Sequence, residues 1–314
     1  MSVRPLQPAT RLAPSPTGAL HLGNARTFLV NWLMARQNDW RIILRIEDLD
    51  GPRVKLHADQ QAIDDLKWLG IDWDEGPTYQ SQRNETYDRA IDELLTKKLA
   101  YPCICTRKEI DLASSAPHAD DGSTMYPRTC RGRFRSVDEA RESAGRMPAI
   151  RFDVGDETIG FTDEFAGEFR FEMASQLGDF VVRKNDGLAA YQLAVVVDDA
   201  EANITHIVRG DDLIDSTPRQ IMIYRALDLE SKIPKYWHLP LVVGTDGRRL
   251  AKRHGDTRIS KYRSDGVNVE RMLGLIGRWC GIEVDEIDLT TFLNRFDIQR
   301  IPKSQIVFQD DFIL

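Results

Sequence analysis

Arg11-Leu12-Ala13-Pro14-Ser15-Pro16-Thr17-Gly18-Ala19-Leu20-His21-Leu22-Gly23-Asn24 reads as a short strand, a Pro/Gly-rich loop and the start of a helix. A loop that closes on a helix N-terminus presents backbone N–H groups and the positive end of the helix dipole, a ready site for phosphate. Gly18 and Gly23 carry no Cβ and let backbone approach a ligand closely. His21 and Asn24, three apart at the helix start, are expected to point the same way, towards the bound anion.

Working outward, the chain alternates strands and helices. Ala25 to Gln37 reads as a helix with Phe28, Leu29, Trp32 and Leu33 on one face and Arg26 and Arg36 outside it. Trp40 to Ile46 suits a buried parallel strand and ends in Glu47-Asp48-Leu49-Asp50, with Gly51-Pro52 as a stop. Acids at the carboxyl end of a parallel strand lie where open α/β sheets bind ligands. Ala58 to Leu69 and Arg83 to Lys98 read as further helices, with Gly70 as a cap. The character changes at Tyr101, where short strands (149–154, 158–163, 168–171) suggest an insertion. Parallel sheet is expected to resume with Phe180 to Lys184, Ala190 to Val197, Ile204 to Arg209 and Trp237 to Val243. Thr217-Pro218 reads as a helix N-cap and first position, and the last fifty or so residues as mainly helical. The expected fold is therefore α/β, a doubly wound parallel sheet in two halves.

The 314 residues carry a net charge of −7 and are 42% apolar, enough for a sizeable core. No apolar run reaches the length of a membrane span, and Met1 to Thr10 does not resemble a signal peptide. Four cysteines do not suggest a disulfide framework, so the expected compartment is a reducing cytoplasm. The acidic balance argues against indiscriminate nucleic-acid binding and leaves room for local basic surfaces. Arg128 to Arg135 holds four arginines in eight residues; Arg248 to Arg263 holds seven basic residues and one acid.

Cys103, Cys105 and Cys130 offer three thiolates for one tetrahedral metal, with buried free thiols as the alternative. Tyr126 is a candidate fourth ligand through a phenolate stabilised by the metal's charge. His118 competes for that position, and Cys280 reads as a core thiol.

His21-Leu22-Gly23-Asn24 resembles the HIGH signature of class I aminoacyl-tRNA synthetases, and Ala13 to Gly18 is similar to the glutamyl/glutaminyl branch of that class. Arg249-Leu250-Ala251-Lys252-Arg253 resembles the KMSKS loop, with Lys252 in the place of the lysine that neutralises phosphate charge. Ala251 and Arg249 depart from that pattern, which implies weaker nucleotide clamping. The resemblance implies an ATP site at Gly18, His21, Gly23, Asn24 and Lys252, with His21, Asn24 and Lys252 catalytic and Mg²⁺ accompanying ATP. It implies a glutamate pocket of Arg11, Ser15, Glu47, Tyr191 and Arg209. Two arginines and an acid suit a dicarboxylic amino acid, with bidentate arginine–carboxylate pairs. Cys-x-Cys-x20-Tyr-x3-Cys resembles the glutamyl-queuosine tRNA(Asp) synthetase family, implying structural Zn²⁺ on Cys103, Cys105, Tyr126 and Cys130. Val195 replaces a usual asparagine and fits the same family.

The resemblance implies activation of L-glutamate with ATP to glutamyl-adenylate and transfer to queuosine in the anticodon loop of tRNA(Asp). A full glutamyl enzyme continues into an anticodon-binding domain, which this chain is expected to lack. The expected organisation is 1–100 for the first Rossmann half, 101–175 for the zinc-binding insertion, 176–243 for the second half, and 244–314 for the basic loop and a helical segment. A monomer is expected. A short glutamyl-tRNA synthetase charging a 3′ end, or a non-catalytic nucleotide- or RNA-binding paralogue, are the alternatives.

Overall fold

The computed structural model describes residues 7–114, 125–248, 250 and 257–308. His118, Arg249, Ala251, Lys252 and Arg253 lie outside the described residues. Strand β1 (Ala9–Leu12) leads through the Pro/Gly loop into α1 (Leu22–Gln37), then β2 (Arg41–Ile46), α2 (Ala58–Trp68), β3 (Glu75–Tyr79) and α3 (Asn84–Thr96). β1, β2 and β3 form a parallel sheet, β2 in the middle. β2 is buried from Ile42 to Ile46, which is why it reads as an almost continuous apolar run.

A second module follows: β4 (Ala100–Cys103), α4 (Arg107–Ser114), α5 (Val137–Ala144) and β5 (Ala149–Phe152). The β6 (Thr158–Asp163) and β7 (Gly167–Glu172) hairpin comes next, then β8 (Phe180–Arg183), α6 (Tyr191–Glu201) and β9 (His206–Gly210). The chain continues through α7 (Ser216–Ala226), β10 (Lys235–Leu239), β11 (Val242–Val243), α8 (Ile259–Ser264), α9 (Val269–Arg278), α10 (Leu289–Arg295) and β12 (Ile306–Val307). β7-β6-β10-β9 form one sheet, with β6, β10 and β9 parallel. It meets the first sheet where Thr205 N–H donates to the Ala9 carbonyl at 2.9 Å, beside β1. β1 and β9 thus meet between the two halves, a switch point whose carboxyl side forms a ligand crevice.

Four details differ from the sequence expectations. Ala190 to Val197 is helix α6, not a strand. Leu193 to Ala200 are all buried, and a helix buried on every side shows no amphipathic period to separate it from a buried strand. Phe180 to Arg183 is a strand but antiparallel, paired with β5, so β4-β5-β8 is a separate small sheet. Arg26 is buried, its Nη1 donating to the Pro240 carbonyl at 2.7 Å. Thr217 lies inside α7, whose cap is Asp215; the threonine hydroxyl accepts from Arg209. Among the described residues no helix is long and apolar enough to cross a membrane.

Candidate active site

The Pro/Gly loop is fixed at four backbone points. Glu47 N–H donates to Pro14 O, Lys55 N–H to Pro16 O, Ile259 N–H to Leu20 O and Leu22 N–H to Thr257 O, all at 2.8–3.0 Å. His21, extended, caps α1 and bridges to Arg258. The stretch that follows the Lys252 segment is therefore laid directly against the start of α1. Because Leu22 N–H is taken, the Gly23 and Asn24 amides remain as the helix-end donors without a partner among the described residues. A Cβ at Gly18 would meet no protein atom within 4 Å; one at Gly23 would lie in ordinary van der Waals contact with the His21 ring, 3.4 Å from Nδ1.

Above the switch point opens a pocket of about 490 Å³. Arg11, Ser15, Gly18, His21, Gly23, Asn24, Glu47, Tyr191 and Arg209 all line it. These are all the residues expected at the glutamate and ATP sites except Lys252, which lies outside the described residues.

Glu47 and Arg11 belong to one charge network. Arg45 donates to Asp199 at 2.5 Å and to Glu47 at 2.9 Å. Asp199 also lies 3.6 Å from Arg11 Nε. Asp198 accepts from Gln80, Arg83 and Tyr87 at 2.7–3.0 Å. Burial raises the Glu47 carboxyl above its ordinary value, and Arg45 and Arg11 oppose that shift. Arg11 makes no side-chain hydrogen bond among the described residues, so its fork is available to a carboxylate.

Arg209 is held differently. It donates through Nε to His238 Nε2 (2.9 Å), through Nη1 to Gln220 (2.9 Å), and through Nη2 to Thr217 (2.7 Å) and to the Leu213 carbonyl (3.3 Å). A bidentate grip by Arg209 requires release of one of these bonds, the Leu213 contact being the longest. Arg45, Asp199, His238 and Gln220 went unread in the sequence as site residues, and Thr217 was read there only as a helix cap. They sit inside apolar or helical runs, and only their distant partners give them meaning.

The thiols of Cys103, Cys105 and Cys130 lie within 4.8 Å of one another. Cys105 and Cys130 are 3.5 Å apart, and Tyr126 Oη is 3.2 Å from Cys103 Sγ and 3.7 Å from Cys105 Sγ. Four ligands around tetrahedral zinc stand roughly 3–4 Å apart, given Zn–S bonds of about 2.3 Å. The cluster is therefore compatible with zinc. Arg151 Nε donates to Cys103 Sγ at 3.3 Å, with its guanidinium 3.8 Å above the Tyr126 ring, a cation suited to an anionic ligand set.

The family described as class I tRNA synthetases (E and Q), catalytic domain, matches residues 8–311. The glutamyl-Q tRNA(Asp) synthetase of Symbiobacterium thermophilum is 46% identical, over 94% of each chain. That of Rhodopirellula baltica is 44% identical, over 96% of each. Among solved structures, a glutamate tRNA ligase from Elizabethkingia meningosepticum has a TM-score of 0.82 at 28% identity, covering 98% of this chain and 68% of that one. With the parallel sheet, the phosphate-type loop and the matched length, the chain belongs to the class I tRNA synthetases of the E and Q type, in the glutamyl-Q tRNA(Asp) synthetase family.

Proposed function

We propose that this enzyme activates L-glutamate with ATP and Mg²⁺ to glutamyl-adenylate and pyrophosphate, then transfers the glutamyl group to queuosine at the wobble position of tRNA(Asp). The observation that carries the amino-acid half is the gathering of Arg11, Glu47, Tyr191 and Arg209 in one pocket beside the loop at the start of α1. Glu47 takes the substrate ammonium, and Arg11, Ser15, Tyr191 and Arg209 its carboxylates and backbone. The α-carboxylate oxygen attacks the α-phosphorus in line, an O–P bond forms, and pyrophosphate leaves. No enzyme nucleophile is needed. His21, Asn24, Lys252 and the helix-end amides of Gly23 and Asn24 act by positioning and by stabilising phosphate charge. A queuosine hydroxyl then attacks the activated carbonyl and AMP leaves. Cys103, Cys105, Tyr126 and Cys130 hold a structural zinc ion that ties the start of the second module together.

The queuosine half rests on the two relatives that match the chain over nearly their whole length. We place the enzyme in the cytoplasm as a monomer. The test is transfer of labelled glutamate, with ATP, to tRNA(Asp) with and without queuosine and to tRNA(Glu), followed by nuclease mapping of the label. Label in the anticodon fragment of queuosine-containing tRNA(Asp) alone is the expected result. Label in a 3′-terminal fragment makes the chain a tRNA-charging enzyme. No transfer and no pyrophosphate exchange makes it a binding paralogue.

A further inference from the structure

Arg209 stands at the end of a line of three side chains on three adjacent parallel strands. His238 of β10 is opposite Arg209 of β9, and Asp163 of β6 is opposite Tyr236 of β10. Arg209 Nε donates to His238 Nε2 at 2.9 Å. His238 Nδ1 lies 2.6 Å from Asp163 Oδ2, and both side chains are fully buried. A guanidinium has donors only, so His238 Nε2 is the unprotonated nitrogen and the ring proton sits on Nδ1, donated to Asp163. The Thr217 hydroxyl, 3.3 Å from His238 Nε2, accepts from Arg209 as well. The other Asp163 oxygen accepts the backbone N–H groups of Phe165, Ala166 and His238. Burial and the neighbouring Arg209 charge lower the imidazole's pKa, which keeps the ring neutral.

We infer that His238, oriented by Asp163, is a positioning residue for glutamate activation: it presents an acceptor to Arg209 Nε and so fixes the guanidinium in the pocket. Asp163 keeps that acceptor available by holding the ring proton on Nδ1. This rests on the reading of Arg209 as a substrate-carboxylate cation. It gives the β6–β7 hairpin a part in amino-acid binding, although the hairpin is remote from Arg209 in sequence.

The Asp163→Asn variant separates tautomer from packing. It is nearly isosteric and its carbonyl still accepts the three backbone N–H groups. Its amide donates to Nδ1, which moves the ring proton to Nε2, where it meets the Arg209 N–H. A lost hydrogen bond to a charged group predicts a KM for glutamate raised roughly 10- to 100-fold, with the KM for ATP unchanged. His238→Leu is expected to behave alike. His238→Gln, whose Oε1 falls near the Nε2 position, should stay within about threefold of wild type because the acceptor is restored.

The readouts are ATP–pyrophosphate exchange with glutamate and ¹⁵N NMR of the His238 ring. An Nδ1–H tautomer in wild type, Nε2–H in Asp163→Asn, the selective KM rise and rescue by His238→Gln support the inference. A wild-type KM in Asp163→Asn, or equal loss for glutamate and ATP in all three variants, overturns it. If wild type itself shows no exchange with glutamate, the proposed function fails separately. The spectra then decide: the Nδ1–H to Nε2–H change supports the held Arg209, and its absence overturns it.

Discussion

On the side built by β1, β2 and α6, Arg11 and Glu47 line the pocket, and with the residues behind them arginines alternate with carboxylates: Arg11 beside Asp199, and Arg45 between Asp199 and Glu47. On the β9 side, where Asp212 also lines the pocket, Arg209 bonds to a neutral imidazole, an amide, a hydroxyl and a backbone carbonyl, and among the described residues no carboxylate hydrogen-bonds it directly. Both walls are polar and largely buried, yet their fields differ. In the first wall the charges cancel, and Glu47 leaves a local negative face for an ammonium group. In the second, hydrogen bonds orient the guanidinium without neutralising it, so its charge is left for a ligand. An amino acid with a second carboxylate complements both walls; its side-chain amide complements only the first.

Removing the central anion of the first wall is expected to have the largest effect. Asp199→Asn leaves Arg45 and Arg11 short of a buried counter-charge and should lower stability by about 3–5 kcal/mol, measured by urea denaturation. On the second wall, Arg209→Met removes a cation that, among the described residues, has no carboxylate hydrogen-bonded directly to it. Glutamate kcat/KM should fall roughly a hundred- to a thousandfold in pyrophosphate exchange, with a smaller stability change than in Asp199→Asn. A deficit in folding equal to that of Asp199→Asn would break the contrast between the walls.

The cysteine cluster touches neither wall. Cys103→Ser should lose stoichiometric metal, measured by atomic absorption, and lower the Tm, while glutamate exchange stays within about tenfold because none of the three clustered thiols lines the pocket. Metal-free protein of unchanged stability would contradict the zinc assignment.

The smallest effect concerns a carboxylate that lacks what Asp199 has. Asp65 is fully buried, with neither oxygen hydrogen-bonded and Arg263 3.5 Å away. Burial pushes its pKa up to about 6, from 3.8 in an unfolded chain. The folded state therefore binds the proton more tightly, and stability falls as pH rises from about 4 through about 6. Asp65→Asn should gain about 1–2 kcal/mol over wild type at pH 7.5 and lose that advantage near pH 4, read from urea midpoints at both values.

The parts of this site that are local in sequence were legible there. The loop from Arg11 to Asn24 carries its own prolines, glycines and helix start, and Glu47 announces itself at the end of an apolar strand before Gly51-Pro52. Tyr191 and Arg209 were placed through family resemblance, and α6 was misread as a strand because Leu193 to Val197 are buried on all sides. What was illegible is the wiring between strands. Nothing near Asp163 signals that it faces His238, and nothing near Asp199 signals that it joins Arg11 to Arg45; those contacts exist only once β6, β10 and β9, or β1, β2 and α6, are side by side. Tyr126 and Cys103, 3.2 Å apart, are the exception among distant contacts, because the Cys-x-Cys-x20-Tyr-x3-Cys spacing resembles a family pattern that places them at one site.

The most direct measurement is ATP–pyrophosphate exchange by the purified enzyme with L-glutamate and, separately, L-glutamine. An Arg209 that lacks a directly bonded carboxylate, beside a charge-balanced wall, predicts exchange with glutamate and almost none with glutamine. Equal exchange with both amino acids would contradict the account, because the Arg209 charge would then play no part in choosing the substrate.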